Sequence, residues 1–137
     1  MSERKGFPLA TGVLDYFPDA LMAVAAVSLA GARQHGTMAG DIPTWARGIS
    51  ADPPDALLRH LKDRGRLDTD GHSHTAKVAW RALAMLQEEI ELAQQAELAQ
   101  QAAQGIEDNA QRLQAELDAQ QEITPIPAFL TAPRNPE

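Results

Sequence analysis

The feature that most constrains this chain is a stretch of strong helix formers that begins near Ser73 and meets no obvious helix stop before Gly105. Five apolar residues at helical spacing open it: Ala79, Ala82, Leu83, Leu86 and Ile90. Beyond Glu88 the composition turns to Ala, Gln and Glu, and a six-residue unit is repeated over residues 91–102. Because few large apolar groups accompany these helix formers, the pattern predicts an exposed helix or helical hairpin rather than a long coiled coil.

A first helix is predicted to begin near Pro18, because proline suits a first turn and the following Asp19 favours the positive end of the helix dipole. Its end is expected near Gly31, or as late as Gly36. Two stretches interrupted by Pro and Gly are expected to lack regular structure: residues 1–18 and residues 36–54.

A second helix is predicted from about Pro53 to Arg64, with Gly65 as a natural C-cap. Its expected buried face consists of three leucines: Leu57, Leu58 and Leu61. Since no period-two alternation of any length occurs, the predicted class is all-α, with three core helices and a helical tail. Three short helices supply a thin core, so oligomerisation is expected to bury the remaining apolar surface.

Charge and chemistry are distributed unevenly along the 137 residues. The net charge of −7 argues against a polyanionic ligand when it is taken for the whole chain. Residues 1–85, however, carry nine acidic and ten basic side chains, whereas residues 86–137 carry ten acidic side chains and two arginines. All four histidines, both tryptophans and the tyrosine also precede residue 86. We therefore expect any chemistry to reside in the front part of the chain.

Three segments are expected from these shifts: an all-α domain at residues 1–89, an Ala/Gln/Glu-rich helical extension at residues 90–122 and a Pro-rich extended tail at residues 123–137. In the tail, Phe129-Leu130 could serve as a docking plug. The absence of cysteine excludes a disulfide framework, a thiolate zinc site and a cysteine nucleophile. No apolar run approaches the roughly 20 residues that span a bilayer, and the N-terminal residues lack the apolar core of a signal peptide, so a cytoplasmic protein is expected.

The second helix places Asp55, Arg59 and Lys62 on one face, opposite the leucines. One interpretation is a solvated face with a single ion pair. The other is a carboxylate that binds a cation beside bases that bind phosphate. His60 flanks the leucine stripe on the side away from Asp55, where it could be either a hydrogen-bonded structural residue or a functional one.

The third helix aligns His74, Lys77 and Arg81 near its N-terminus, where free N–H groups and the helix dipole favour an anion. A solvated face is again the alternative. The pair His72 and His74 suggests a metal clamp, although such a pair alone is weak evidence. Two further acids, Asp68 and Asp70, only faintly suggest a Ca²⁺ loop, because the rest of that motif is missing.

Polar and aromatic groups in the long loop offer a base-binding surface. A purine could stack on Trp45 while Arg47 meets a phosphate, with Gln34 and His35 nearby in sequence. Trp45 could equally be a core plug for the loop. No phosphate-cradling glycine loop, nucleophile elbow or zinc-protease motif is present in the sequence.

Together these stretches resemble the phage dATP/dGTP diphosphohydrolase family, which is commonly placed near the MazG-like and phosphoribosyl-ATP pyrophosphohydrolases. The similarity spans residues 6–89. Its most specific pieces are DALLRHL at residues 55–61 and HTAKVAWRAL at residues 74–83.

The resemblance implies an all-α, MazG-like helical bundle, completed by oligomerisation into dimers or tetramers, that uses Mg²⁺ or Mn²⁺. Its activity would split a purine (deoxy)nucleoside triphosphate, with dGTP or GTP favoured, into monophosphate and pyrophosphate. Relatives of this type remodel nucleotide pools in phages that replace adenine with 2-aminoadenine. MazG-like proteins bind metal through E-x-x-E and E-x-x-D runs. Neither run occurs in residues 1–85, so Asp55 and Asp19 are the helix carboxylates expected to bind metal.

The resulting hypothesis assigns a role to each candidate residue. His60 or His74 assists proton transfer or orients the attacking water, and Lys77 acts in catalysis beside them. Arg59, Lys77 and Arg81 offset charge on the leaving pyrophosphate. The base of the substrate is assigned to Gln34, His35 and Trp45, and a contact with a phosphate is assigned to Arg47. The rival hypothesis is a non-enzymatic phage interaction module whose C-terminal helix binds a protein partner. No specific nucleic acid and no membrane are expected as partners.

Overall fold

A computed structural model of the chain describes residues 6–48 and 53–122. The described residues confirm the all-α class. In chain order they form a π-helical turn at Ala10–Leu14, α1 at Pro18–His35, β1 at Met38–Ala39, β2 at Ile42–Pro43, α2 at Pro53–Lys62 and α3 at His74–Gln121. Contacts divide the chain into two compact units, residues 1–91 and residues 92–137. No helix among the described residues is both long enough and apolar enough to span a membrane.

The first helix begins at Pro18, as predicted, and passes through Gly31 to end at His35. Gly36 follows in the left-handed region with φ of 67°, which a residue with a Cβ adopts only at a cost. The amide of Thr37 then donates to the carbonyl oxygen of Ala32 at 2.8 Å. This C-cap satisfies a terminal carbonyl and turns the chain into the loop that borders the cavity described below.

The loop after α1 contains regular structure, so the prediction that residues 36–54 have none is wrong. Met38 pairs with Pro43 and Ala39 with Ile42 in a minimal antiparallel hairpin. Its two-residue turn begins at Gly40, whose φ of 62° suits glycine. The pairing escapes sequence patterning because two-residue strands are too short to show alternation. Residues 49–52 of the loop lie outside the described ranges.

A tight turn joins α2 to α3. Leu67 and Ser73 form an isolated antiparallel bridge, and the amide of His74 donates to the carbonyl oxygen of Arg66 at 3.0 Å. The hydroxyl of Ser73 accepts hydrogen bonds from the amides of Thr75 and Ala76, at 3.2 and 3.4 Å, and thereby caps α3. These bonds hold the end of α2 and the start of α3 close together.

Very little apolar surface is buried within the chain. Among the described residues only three apolar side chains are buried: Ala32, Ala56 and Ala76. The predicted buried face of α2 is wrong for Leu58, which is 57% exposed, and for Leu61, which is 40% exposed. In α3 the apolar stripe of Leu83, Leu86 and Ile90 is also exposed. Within the described residues, therefore, only small apolar side chains are fully buried, and the large ones are half-buried or exposed.

The extension predicted after residue 90 is helical, and α3 runs without interruption through Gly105 to Gln121, which excludes the helical-hairpin alternative. At 100° per residue, its five large apolar side chains within residues 92–121 fall within an arc of roughly 120°. All five are exposed: Leu92, Leu98, Ile106, Leu113 and Leu117. The Pro-rich tail, including Phe129-Leu130, lies outside the described residues.

Candidate functional site

A cavity of about 310 Å³ lies within the first unit, between α1, the hairpin loop, the end of α2 and the first turns of α3. A volume of this size is at the lower end of the range found for small-molecule sites. Six residues that the sequence singled out line its wall: Gln34, His35, Trp45, His60, Lys77 and Arg81. The cavity is therefore the place where the candidate base-binding and candidate catalytic residues meet.

The turn before α3 delivers a cationic group to the cavity wall. The ammonium of Lys77 donates to an oxygen of Asp68 and to an oxygen of Asp70, each at 2.6 Å. Burial alone would lower the pKa of Lys77, but these two hydrogen bonds outweigh it and the pKa is raised. The same contacts hold the pKa values of both aspartates below their ordinary range. Lys77 consequently stays charged and fixes the turn between the helices.

Backbone bonds complete this turn. Asp68 accepts a further hydrogen bond from the amide of Thr69 at 2.7 Å, and its own amide donates to the carbonyl oxygen of His72 at 2.8 Å. An oxygen of Asp70 accepts from the amide of His72 at 3.1 Å. Gly71 sits between them with φ of 79°. The faint resemblance of these two aspartates to a Ca²⁺ loop thus has a structural explanation, since their carboxylates face Lys77.

Two histidines meet at the junction of α2 and α3. The Nδ1 atoms of His60 and His74 lie 2.9 Å apart, and the ring planes are tilted by 39°. Burial lowers the pKa of His60, and the nearby charges of Arg81 and Lys77 lower it further, so its imidazole is neutral at pH 7. One ring nitrogen then donates to the other or both can face a shared cation. The sequence suggests His72 and His74 as a metal clamp, but in the structure His74 contacts His60 instead.

These histidines belong to the group of described residues with metal-ligand spacing. One ligand atom from each of His60, Asp68 and His74 lies within 4.8 Å of the other two. Imidazole nitrogens and a carboxylate oxygen are suitable donors for a divalent metal ion. The residues present at this junction therefore fit a cation chemically.

An aromatic and ionic cluster forms the opposite side of the site. The Trp45 and Trp80 rings pack edge to face with centroids 6.0 Å apart, and the guanidinium of Arg47 lies 4.3 Å from the centroid of the Trp45 ring. Arg47 also forms a bidentate pair with Glu91, with both nitrogen–oxygen distances at 2.6 Å. Gln87 donates to the same carboxylate at 2.9 Å. Trp45 thus packs against another ring, as expected of a core residue, and also lines the cavity, as expected of a residue that contacts a base.

Hydrogen bonding sets the ionisation of this ion pair. The Arg47 guanidinium, followed by the Gln87 amide, lowers the pKa of Glu91, and the carboxylate in turn raises the pKa of Arg47. Arg47 is committed to Glu91 and Trp45 and does not line the cavity. Its role here is to hold Trp45, whereas its predicted contact with phosphate stays a prediction.

The remaining predicted residues lie outside the cavity lining. Asp55 and Arg59 are exposed on α2, and Asp19 is exposed in the first turn of α1. Neither aspartate belongs to the group with metal-ligand spacing. His74 is absent from the lining but contacts His60, which lines it. The assignment of Asp55 and Asp19 to a metal stays a prediction, because neither belongs to a group with metal-ligand spacing among the described residues.

Several further residues line the cavity, of which Asp70 and His72 were considered only as weak metal-ligand candidates, and Thr37, Thr44 and Glu88 had no predicted role. Asp70 and His72 come from the turn, Glu88 from α3, and Thr37 and Thr44 from the ends of the hairpin. Glu88 is also the first member of an E-x-x-E run at residues 88–91, which begins just after residues 1–85. The threonines carry no sequence signal, because only the hairpin brings them to the cavity.

The charges of the lining balance. Lys77 and Arg81 contribute two positive charges, and Asp70 and Glu88 contribute two negative ones. These features define a small all-α protein with a cavity whose wall carries imidazole, ammonium and guanidinium groups beside two carboxylates.

The chain belongs to the dATP/dGTP diphosphohydrolase family, since residues 4–99 match the family model described as dATP/dGTP diphosphohydrolase, N-terminal. The match contains every residue of the cavity. It supports a hydrolase of the deoxynucleoside triphosphate diphosphohydrolase type. Neither a curated protein nor a solved structure matches the chain significantly.

Proposed function

We propose that the chain hydrolyses a purine deoxynucleoside triphosphate, with dGTP or GTP favoured, to the monophosphate and pyrophosphate, and that it needs Mg²⁺ or Mn²⁺ to do so. The observation that supports this most is the single cavity wall shared by Gln34, His35 and Trp45 on one side and by His60, Lys77 and Arg81 on the other. Family membership supplies the substrate class.

Different residues would contact the base, the attacking water and the departing pyrophosphate. Gln34, His35 and Trp45 line the cavity, where the first two would hydrogen-bond a base and the third would stack against it. Burial and nearby positive charges lower the pKa of His60 and favour its neutral imidazole, the form that can orient a water molecule or bind a cation. Arg81 and Lys77 offset the negative charge that builds on the departing pyrophosphate.

A bound divalent cation would supply Lewis-acid polarisation of a phosphoryl oxygen and part of the charge balance. The lining itself cannot supply this charge, because its two bases are matched by two acids. Lys77 is further committed to Asp68 and Asp70. The electrostatics of the cavity and the resemblance both support the proposed cation requirement.

The assay that tests the function uses purified full-length protein with dGTP, dATP and GTP, each with Mg²⁺ or Mn²⁺. We expect monophosphate and pyrophosphate in equal amounts from at least one purine triphosphate, and loss of turnover with EDTA. No monophosphate from any of the three would overturn the enzyme assignment. Arg81→Gln tests the site, and we expect about a 10²-fold lower kcat, as for removal of one charge-stabilising donor.

We also propose that the chain works as a homo-oligomer, a dimer or a tetramer. The supporting observation is the scarcity of buried apolar side chains, together with an uncovered stripe of Leu83, Leu86 and Ile90 on α3. At 100° per residue these three side chains lie on the side of α3 away from Lys77, Arg81 and Glu88. A second copy could therefore cover the stripe without filling the cavity. The measurement is molar mass in solution by light scattering, and a monomer at micromolar concentration would contradict it.

The exposed leucines of residues 92–121 favour a second candidate, a protein-interaction module without activity of its own. The two candidate functions predict different results in the nucleotide assay. Full-length protein that releases no monophosphate but binds another protein through residues 92–121 supports the module, whereas turnover by the purified chain supports the enzyme.

A further inference from the structure

At the junction of α2 and α3, three side chains of types that bind metal ions lie close together. His60 lies near the end of α2, His74 is the first residue of α3, and Asp68 lies in the turn between them. Metal–ligand bonds of about 2.0–2.2 Å place neighbouring ligand atoms roughly 3–3.5 Å apart. The two Nδ1 atoms are 2.9 Å apart, and the Asp68 oxygen lies within 4.8 Å of both ligand atoms, so a small side-chain rotation brings all three to one ion.

From this geometry we propose that His60, Asp68 and His74 bind one divalent transition-metal ion, of the Mn²⁺, Co²⁺ or Zn²⁺ type, in preference to Mg²⁺. The role of this ion rests on the proposed function, since the ion would interact with a triphosphate bound in the adjoining cavity. It changes the expected ligand set from the carboxylates of Asp55 and Asp19 to two imidazoles and one carboxylate.

The surrounding charges favour a cation at this point. Lys77 is ion-paired with both Asp68 and Asp70, so the three groups together carry one net negative charge. A carboxylate has about four lone-pair positions, and Asp68 uses its oxygens for Lys77 and for Thr69. Acceptor capacity therefore remains on Asp68, while Lys77 and Thr69 fix its orientation as outer partners do around metal ligands.

The donor types determine which ions suit the site. Imidazole nitrogen suits first-row transition metals, whereas Mg²⁺ prefers an octahedral shell of oxygen ligands and retains its waters. Two of the three donors here are imidazoles. The competing explanation is a simple hydrogen bond between two neutral histidines, for which 2.9 Å is also suitable. A direct metal-binding measurement separates the two.

The test titrates Co²⁺ into full-length protein without a polyhistidine tag, in the absence of nucleotide, and follows the visible absorption of the bound ion. We expect one saturable site that excess Mg²⁺ does not displace. His60→Asn, His74→Asn and Asp68→Asn should each weaken Co²⁺ binding at least tenfold, since loss of an outer partner alone costs about 10–100-fold. His35→Asn, His72→Asn and Asp55→Asn are matched controls and should bind Co²⁺ like the wild type.

Absence of saturable Co²⁺ binding, equal weakening by the control variants, or displacement by Mg²⁺ would overturn the site. Circular dichroism identifies variants that do not fold. The wild type then provides the second measurement, because the diamagnetic ion Zn²⁺, when bound, should shift the ring-proton resonances of His60 and His74 much more than that of His35. Binding that follows these expectations without any nucleotide turnover would contradict the proposed function alone. Turnover without such binding would contradict the metal site alone.

Discussion

Among single residues, Lys77 connects the most features of the site. Its ammonium joins the two aspartates of the turn, and that turn sets the positions of His60 and His74. The sequence identified Lys77 through its alignment with His74 and Arg81 on one helical face. The contact between His60 and His74 could not be predicted, because it depends on how a turn of eleven residues folds back between α2 and α3.

Replacing Lys77 by Met should destabilise the protein and slow the reaction. The Met side chain has a similar length but leaves Asp68 and Asp70 close together without a counter-charge, which is unfavourable. We expect a melting temperature several degrees lower and at least about a tenfold lower kcat. Lys62→Met, an exposed change on α2, is the control and should melt like the wild type. Equal melting of both variants would contradict the role of Lys77.

The ion pair of Glu91 and Arg47 predicts a pH effect. Because Arg47 lowers the folded-state pKa of Glu91, the pair stabilises the fold above the unfolded pKa of about 4.3, and this contribution is lost as pH falls through the lower folded pKa. Arg47→Gln should return the pKa of Glu91 towards its ordinary value in an NMR titration of the carboxyl carbon. Arg64→Gln should leave that titration unchanged. An unaltered Glu91 curve in Arg47→Gln would show that the pair does not form in solution.

At the scale of elements, the sequence predicts where the helices begin but not which of their faces are buried. Pro18, Pro53 and Ser73 marked the beginnings of α1, α2 and α3 because proline and serine suit first turns and N-caps. The prediction of buried residues is wrong because a helical stripe identifies an apolar face but does not show whether another part of the protein covers it. Leu58 and Leu86 have the expected periodicity and remain more than half exposed.

The C-cap of α1 gives a matched pair of glycine variants. Gly36→Ala puts a Cβ on a residue with φ of 67°, where no atom lies within 4 Å, so the cost is the backbone conformation alone, about 1–2 kcal/mol. Gly31→Ala lies inside α1 with equal space around it and should stabilise by about 0.5–1 kcal/mol. Urea unfolding measures both. A stabilising Gly36→Ala would contradict the left-handed cap.

The apolar stripe of α3 predicts how assembly responds to a charge. Leu86→Glu places a carboxylate in the middle of the stripe formed with Leu83 and Ile90, and should shift the protein towards monomer in light-scattering measurements. Glu89→Gln changes an exposed neighbour outside the stripe and should leave the molar mass unchanged. If Leu86→Glu assembles like the wild type, this stripe is not the interface.

For the whole molecule, charge partition explains how an acidic chain can bind a triphosphate. The net charge of −7 belongs to the part after residue 85, whereas the cavity lies among residues 27–88 and its charges balance. The family match covers the cavity and ends at residue 99. Composition therefore predicts that the chemistry resides in the part of the chain where the cavity lies, and the exclusion suggested by the total charge does not apply to that part.

A chain shortened to residues 1–99 should retain nucleotide turnover. It contains every cavity residue and the whole family match, and it lacks most of the exposed leucines of the helical extension. The measurement is kcat/KM for dGTP beside the full-length protein, with circular dichroism as the check on folding. A folded shortened chain without turnover would show that residues 100–137 contribute to the active assembly.

The most direct test of the central claim is to run the reaction on dGTP in water enriched in ¹⁸O and to analyse the products by mass spectrometry. In the proposed reaction water attacks the α-phosphate, so dGMP should carry the label and pyrophosphate should not. Labelled pyrophosphate, release of inorganic phosphate in place of pyrophosphate, or unreacted dGTP would contradict it.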